Sequence, residues 1–157
     1  MKKLKSRTSW QEKLLKPQAP RLVAVPPRMA RLGKGMMLIP TPMLVDEVLR
    51  QVPKGRLVTV GELRRKLARD FSADVTCPLT TGIFVRIAAE AAEERRANGR
   101  KRITPYWRVV RDNGGLNPKF PGSDAQQARL LRSEGMTVSK RGGHLVVKDF
   151  ERLLVSF

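Results

Sequence analysis

The sequence of 157 residues contains one cysteine, one histidine and few aromatic residues, namely five phenylalanines, two tryptophans and one tyrosine. The single cysteine, Cys77, excludes an internal disulfide and a metal site built from clustered cysteines. His144 follows two glycines in a predicted turn, where a solvated histidine is more common than a metal ligand. No apolar run approaches the roughly 20 residues of a membrane-spanning helix, and the basic start lacks the apolar core of a signal peptide. We therefore expect no metal, no small-molecule cofactor and no membrane partner.

Acidic residues are also scarce. The chain has 32 lysines and arginines against 14 acidic residues, which gives a formal net charge of +18. A charge of this sign and size favours a polyanionic partner, most simply nucleic acid, because phosphate neutralisation releases counterions. An anionic membrane surface is the alternative partner. We expect a cytoplasmic protein, associated with the nucleoid if the source is a bacterium.

Residues 1–35 differ in composition from the rest and are predicted to form a basic N-terminal arm. The segment has a single acidic residue, Glu12, and its four prolines exclude a long helix. Such an arm would become ordered on nucleic acid. The alternative is a solubilising tail or a segment that packs over the core, because Trp10 and the apolar residues 22–25 favour burial. The arm hypothesis rests on these cations: Lys2, Lys3, Lys5, Arg7, Lys13, Lys16, Arg21, Arg28, Arg31 and Lys34.

Residues 36–157 are predicted to form the globular domain, and its helix starts carry local signals. Thr41 followed by Pro42 predicts the start of one helix. Thr59, with Glu62 at capping-box spacing, predicts the start of a second helix that buries its leucines. Its outer side carries the cations Arg64, Arg65, Lys66 and Arg69.

A third helix is predicted from Pro78 to Glu94, after a loop of residues 70–78. Arg86 lies on a separate face of this helix, available to solvent or to a groove. Two successive helices, the first rich in cations, are typical of a helix-turn-helix. The predicted apolar stripe of the third helix consists of Ile83, Phe84, Ile87, Ala88 and Ala91.

The C-terminal part is predicted to contain a short helix and a hairpin. Ser123 or Asp124 is expected to cap the helix, and residues 136–147 read as two strands joined by a glycine turn. The predicted fold class is mainly α (α+β), a winged helix-turn-helix-like DNA-binding domain with a small C-terminal hairpin and the basic arm.

The central stretch of residues 104–110 places Tyr106 and Trp107 side by side after a proline. The proline favours an extended backbone before it, so that both rings project from a fixed corner. Large aromatic residues dominate cores, which is one interpretation of the pair. The other is a platform for an unpaired base, since bases stack on aromatic rings.

Four motifs in order resemble the DNA-binding domain of the O6-alkylguanine-DNA alkyltransferase family, and most closely its alkyltransferase-like branch. They cover roughly residues 40–136. Residues 52–63 match the family's proline-glycine turn and capped helix, and residues 105–110 match its signature Pro-Cys-His-Arg-Val-Val. Residues 113–116 match the following Asp-Gly-x-Leu turn. Residues 130–135 match the later Leu-Leu-x-x-Glu-Gly.

The departures from this family bear on catalysis. In the repair enzymes the signature cysteine accepts the alkyl group and is activated by the next histidine and a distant glutamate. Here Tyr106 and Trp107 stand at the cysteine and histidine positions, and counting back from Glu134 places the glutamate at about Ala128. A phenol with a pKa near 10 is a poor substitute for a thiolate. Alkyl transfer by this route is therefore expected to be absent, and Cys77, outside the signature, is expected to be a structural thiol.

The resemblance also implies which residues would meet DNA. The family inserts an arginine into the base stack and rotates a phosphate with a tyrosine, and these positions fall at Gly82 and Val60. The expected base pocket is formed by Tyr106 and Trp107. The expected DNA-binding residues are Arg64, Arg65, Lys66, Arg69, Thr80, Thr81, Gly82, Arg86, Arg108 and Lys119.

Three hypotheses follow. The first is a non-enzymatic protein that binds duplex DNA, recognises altered or alkylated bases for repair, and hands them to a downstream repair protein. The second is an architectural or RNA-binding basic module with no lesion recognition, in which the two aromatics are core. The third is an enzyme acting on nucleic acid through other residues, for which Asp112 is the nearest acidic candidate, although a turn former is ordinary at that place.

Overall fold

The computed structural model describes residues 8–157, which form five α-helices, seven short strands and three 3-10 turns. No helix among these residues is long and apolar enough to cross a membrane. The helices are α1 (Trp10–Leu15), α2 (Pro42–Arg50), α3 (Val60–Asp70), α4 (Pro78–Ala97) and α5 (Ser123–Ser133). The strands are β1 (Arg21–Ala24), β2 (Met36–Ile39), β3 (Val58–Thr59), β4 (Val75–Thr76), β5 (Val109–Val110), β6 (Val138–Arg141) and β7 (His144–Val147). The 3-10 turns are Pro27–Leu32, Tyr106–Arg108 and Phe150–Leu153.

Helices α2 and α3 begin where their caps predict. The Thr41 hydroxyl accepts a hydrogen bond from the backbone N–H of Leu44 at 3.2 Å, and Pro42 occupies the first turn. The Thr59 hydroxyl accepts from the backbone N–H of Glu62 at 3.1 Å. Each cap satisfies one of the N–H groups that a helix start leaves without a partner.

The strands form three small sheets. In the first, β2 lies between β1, which is antiparallel to it, and β4, which is parallel to it. The second pairs β3 with β5 in parallel, so that the central stretch is fixed next to the start of α3. The third is the antiparallel hairpin of β6 and β7. The predicted hairpin and the predicted mixed fold class, mainly α with small sheets, are therefore confirmed.

The N-terminal segment is not a free arm over the residues that the structure describes. Strand β1 pairs along its length with β2, and Leu14 of α1 is buried. The Glu94 carboxylate of α4 accepts hydrogen bonds from the backbone N–H groups of Trp10 and Gln11 at 2.9 and 3.0 Å. The expectation of a free arm is thus corrected for residues 9–35, which pack on the body. The cations Lys2, Lys3, Lys5 and Arg7 lie outside the described residues.

The apolar stripe predicted for α4 is partly wrong. Ala88 and Ala91 are buried, but Ile83 is 50% exposed, and Phe84 and Ile87 are only half-buried. The buried face is instead formed mostly by smaller side chains, and α4 packs against α1 and α2. Its buried residues are Thr81, Val85, Ala88, Ala89, Ala91 and Ala92.

Helix α5 begins without the predicted side-chain cap. Gly122 occupies the N-cap position with a φ of 72°, and no side chain accepts a hydrogen bond there. Ser123 itself has a φ of 64° and its hydroxyl donates to Asp124. The prediction that Ser123 or Asp124 caps this helix is therefore wrong, because the tight turn before it requires positive φ values.

Candidate nucleic-acid interface

Tyr106 is a core residue and does not line a base pocket. Its side chain is fully buried, and its ring packs edge-to-face on Trp107 and on Phe120, with centroids 5.4 Å apart in each pair. The Tyr106 hydroxyl donates to Glu93 at 3.2 Å. Burial, reinforced by the Glu93 carboxylate, raises the pKa of this phenol far above its usual value. The expectation that Tyr106 stacks on a base is corrected, since no face of the ring is accessible.

Trp107 lies at the boundary between the two apolar clusters and is half-buried. Its indole Nε1 donates to Glu134 at 2.7 Å. The guanidinium groups of Arg96 and Arg108 lie 5.9 and 5.6 Å from the centre of its ring. The two rings therefore have different roles. Tyr106 fills the core, whereas Trp107 borders a basic surface.

Glu134 is the residue that sequence reasoning missed. It contacts Trp107, at the family's histidine position, while Ala128, the position expected for the glutamate, is a buried apolar residue in the second cluster. Burial alone would raise the pKa of Glu134, but hydrogen bonds from Arg108, Gly55 and Trp107 outweigh it and hold the pKa below its usual value. The available signal was the Glu134-Gly135 motif itself, which the resemblance treated only as a landmark in the chain.

Arg108 is committed to this internal network. Its guanidinium donates to Glu134 at 2.9 Å and to the Val52 carbonyl at 2.7 Å, and its side chain is only 14% exposed. The expectation that Arg108 binds DNA is therefore corrected. Its role is to join α5 to the end of α2 through a buried ion pair.

The cations expected on α3 differ in their availability. Arg64 donates to the Thr76 carbonyl at 3.1 Å and thereby joins α3 to β4. Arg65 pairs with Glu62 and Lys66 pairs with Asp70, both on the helix surface. Arg69 is exposed and takes part in none of the ion pairs found among residues 8–157. The structure thus leaves Arg69 as the α3 cation with the most freedom.

The first turns of α4 present backbone and apolar side chains to solvent. Gly82 is exposed, and a Cβ added there would meet nothing within 4 Å. Thr81, by contrast, is buried and its hydroxyl donates to the Cys77 carbonyl at 2.7 Å. Thr80 is half-buried and its hydroxyl lies 3.5 Å from the same carbonyl. The expectation that Thr81 contacts DNA is corrected, whereas Gly82 lies on an accessible face.

A cavity of about 590 Å³ lies between α1, the first half of α4 and the loop after β5. Trp10 forms one wall, with the Lys13 ammonium 4.2 Å and the Arg86 guanidinium 5.8 Å from its ring centre. The lining combines apolar and cationic side chains. Composition assigns Trp10 to the basic N-terminal arm, so the sequence does not predict its position at this cavity. The lining consists of Trp10, Lys13, Pro78, Leu79, Gly82, Ile83, Arg86, Ile87, Arg111, Asn117 and Lys119.

The remaining candidates have structural explanations. Cys77 is buried at the start of α4, where its carbonyl accepts the threonine hydroxyls. The Asp112 carboxylate accepts from the backbone N–H of Gly61 at 2.8 Å, which fixes the turn after β5 against α3. Val60, at the family's tyrosine position, packs against the first core cluster. Residues 8–157 contain no group of three or more side chains that could hold a metal ion.

Comparison with known proteins adds four findings. A sequence model described as the DNA-binding domain of 6-O-methylguanine DNA methyltransferase matches residues 42–136. The fold resembles that of S. pombe Atl1 in complex with damaged DNA containing O6-carboxymethylguanine, with a TM-score of 0.51, 15% identity, and coverage of 73% of this chain and 94% of that one. S. pombe ATL in complex with DNA gives a TM-score of 0.47 at the same identity and coverage. A search of curated protein sequences found no significant match.

Proposed function

Because the chain belongs to the family of the 6-O-methylguanine DNA methyltransferase DNA-binding domain, as its motifs predict, we propose that it binds duplex DNA and recognises altered or alkylated bases without repairing them. The observation that carries this proposal is the face formed by α1 and the first half of α4. It combines exposed apolar side chains, a cavity and cations that belong to no buried network.

The cavity suits an altered base in size and chemistry. Its volume of about 590 Å³ lies within the range of roughly 300–1,000 Å³ that small-ligand sites occupy. Trp10 provides an aromatic wall, and stacking of a base on such a ring contributes about 1–3 kcal/mol. The aromatic residue that would read the base is therefore Trp10 rather than Tyr106 or Trp107.

The cations around this cavity are placed to hold the DNA backbone. Arg111 and Lys119 are exposed and line it, and the one ion pair of Arg86 found among residues 8–157 is a long one, 3.9 Å from Glu90. Phosphate contacts of this kind give affinity that depends steeply on salt and carries little sequence information. We expect salt-sensitive binding with weak sequence preference, on which base recognition is superimposed.

The absence of alkyl transfer follows from the side chains at the signature. The phenol of Tyr106 is buried and neutral at physiological pH, and Trp107 offers Glu134 an N–H rather than an imidazole base. The chain's one thiol, Cys77, is buried and is not among the residues that line the cavity. The complex of S. pombe Atl1 with damaged DNA supports lesion binding by a related fold.

A second candidate is an architectural or RNA-binding module that does not read base modification. The burial of Tyr106 against Phe120 favours it, because the aromatic pair that the resemblance assigned to a base pocket is partly core. Such a module would bind intact and alkylated duplexes equally and RNA with similar affinity.

The deciding experiment is a titration of matched duplexes, one intact and one carrying an O6-alkylguanine, with single-stranded RNA as the third probe. The first hypothesis requires tighter binding of the alkylated duplex. Trp10→Ala should abolish that preference, and loss of a stacking contact of about 1–3 kcal/mol corresponds to roughly 5- to 150-fold in affinity for the lesion. Trp107→Ala is the matched control and should keep the preference.

Equal affinity for both duplexes in the unsubstituted protein would establish the second candidate instead. A mass increase of the protein after incubation with the alkylated duplex would contradict the non-enzymatic assignment. Loss of the preference in Trp107→Ala but not in Trp10→Ala would place the base at the other aromatic residue.

A further inference from the structure

A second cavity, of about 570 Å³, lies at the other end of α4. Cations line it, and none of its lining residues within 8–157 is acidic. Its apolar surface includes Trp107, Ile103 and Leu130. A concave surface with charge of one sign focuses the electrostatic field and concentrates an oppositely charged ligand. The charged lining residues are Arg50, Arg95, Arg96, Lys101, Arg102 and Arg108.

Half of these cations are already neutralised by acids outside the cavity. Arg50 pairs with Asp46 at 2.9 Å, Arg96 with Glu93 at 3.1 Å and Arg108 with Glu134 at 2.9 Å. The other half take part in no ion pair among the residues that the structure describes; they are Arg95, Lys101 and Arg102. Three uncompensated cations therefore converge on one concave surface.

This site is separate from the duplex face proposed above. Arg86 borders the first cavity, and Arg95, nine positions further along α4, borders the second. Nine residues correspond to about 2.5 helical turns and about 13 Å along the axis, which places the two side chains on opposite sides of α4. A duplex held on the first half of α4 therefore leaves the second cavity open.

We propose that this second cavity binds single-stranded nucleic acid, with phosphates held by Arg95, Lys101 and Arg102 and a base against the exposed part of Trp107. A duplex is too wide and stiff to enter a concave site of this size, whereas a single strand is flexible and exposes its bases. Cations interleaved with an aromatic surface are the arrangement by which proteins bind single strands. The proposal adds a second nucleic-acid site to a protein whose proposed function requires only the first.

The alternative occupant is an acidic peptide, which the same cations would attract. The net charge of +18 and the aromatic wall favour nucleic acid over carboxylates, because a base can use both the charge and the ring. Comparison of an oligonucleotide with an oligoglutamate of matched charge separates the two.

The two tryptophans make the cavities separately observable, because Trp10 borders the first and Trp107 the second. In Trp10→Phe, the remaining indole reports on the second cavity alone. We would titrate this variant with oligodeoxythymidylate and follow Trp107 fluorescence, first without and then with saturating intact duplex. Quenching that persists in the presence of the duplex is the expected result.

Charge reversal at Lys101 and Arg102 provides the quantitative test. In the Trp10→Phe background, Lys101→Glu combined with Arg102→Glu should weaken oligodeoxythymidylate binding at least tenfold at low salt. The slope of log affinity against log salt should become shallower by about 1.4, since each phosphate contact on a single strand contributes about 0.7. The matched control is Lys140→Glu combined with Arg141→Glu at the exposed end of β6, which changes the net charge equally.

Several results would overturn the proposal. Absence of Trp107 quenching, or displacement of the oligonucleotide by saturating duplex, would show that there is no separate second site. Equal losses of oligodeoxythymidylate affinity in the two charge-reversed variants would show that net charge alone accounts for the effect. Tighter binding of the oligoglutamate would identify a protein partner. None of these outcomes depends on whether the duplex face recognises alkylated bases.

Discussion

Replacement of Glu134 tests the central packing of the fold. Its carboxylate accepts hydrogen bonds from the Gly55 backbone at 2.9 Å, from Trp107 at 2.7 Å and from Arg108 at 2.9 Å. These donors come from the turn after α2 and from the central stretch, so Glu134, at the end of α5, joins three segments of the domain. Glu134→Ala removes the acceptor and leaves all three donors in place.

The expected loss of unfolding free energy follows from the burial of the Arg108–Glu134 ion pair. The side chains of Arg108 and Glu134 are 14% and 6% exposed, so that removal of the carboxylate leaves a poorly solvated guanidinium with the Val52 carbonyl as its remaining partner. Removing one member of a buried ion pair costs about 3–5 kcal/mol. Since domains of this kind are stable by about 5–15 kcal/mol, Glu134→Ala should remove a large fraction of the free energy of unfolding.

The assay is urea unfolding followed by far-UV circular dichroism at neutral pH. Glu134→Gln should be intermediate, because the amide keeps one acceptor oxygen but loses the charge. The matched control is Glu62→Gln, which removes a surface pair with Arg65 whose side chains are 37% and 61% exposed. A surface pair of this kind contributes about 0–1 kcal/mol, so the control should unfold nearly as the unsubstituted protein does.

The same network predicts a pH dependence. Because the pKa of Glu134 is lowered in the folded state, its contribution is fully present above the ordinary glutamate pKa of about 4.3 and is lost as the pH falls through the folded value. The difference in unfolding free energy between the unsubstituted protein and Glu134→Gln should therefore shrink below about pH 4. If Glu134→Ala lowers the free energy of unfolding at neutral pH no more than Glu62→Gln does, the reasoning is refuted.

Three further predictions concern stability. Tyr106 is the chain's one tyrosine, so its tyrosinate absorbance should appear in alkaline titration only as the protein unfolds. Because burial raises its folded pKa, the contribution of Tyr106 to stability is constant below the unfolded value of about 10 and falls as the pH rises above it. An ionisation at about pH 10 with native circular dichroism would contradict its burial. Thr59→Ala should remove the α3 cap and cost about 1 kcal/mol in urea unfolding, and an unchanged midpoint would show that the cap is dispensable. Gly114→Ala should lower the melting temperature more than Gly142→Ala, because both have positive φ but only at Gly114 would the added Cβ lie 2.4 Å from the Phe150 ring; equal shifts would show that this ring moves freely.

Local chemistry made much of the fold predictable from the sequence. Thr41 and Thr59 cap their helices through side chains that reach a backbone N–H three residues on, and such short-range signals are independent of the rest of the chain. The hairpin around Gly142 follows in the same way from turn chemistry. The family was also identified from the order of short motifs, which the match over residues 42–136 confirms.

The proposed nucleic-acid face was not predictable in this way, because its residues are distant in sequence. Trp10 borders the first cavity because its backbone N–H donates to Glu94, 84 residues away, and no local pattern encodes that contact. Trp107 meets Glu134 across 27 residues. Sequence alone determined that the chain is basic, helical and a member of its family. Tertiary packing decided that Tyr106 is core, that Arg108 is internal and that each tryptophan borders its own cavity, because burial depends on which distant segments meet.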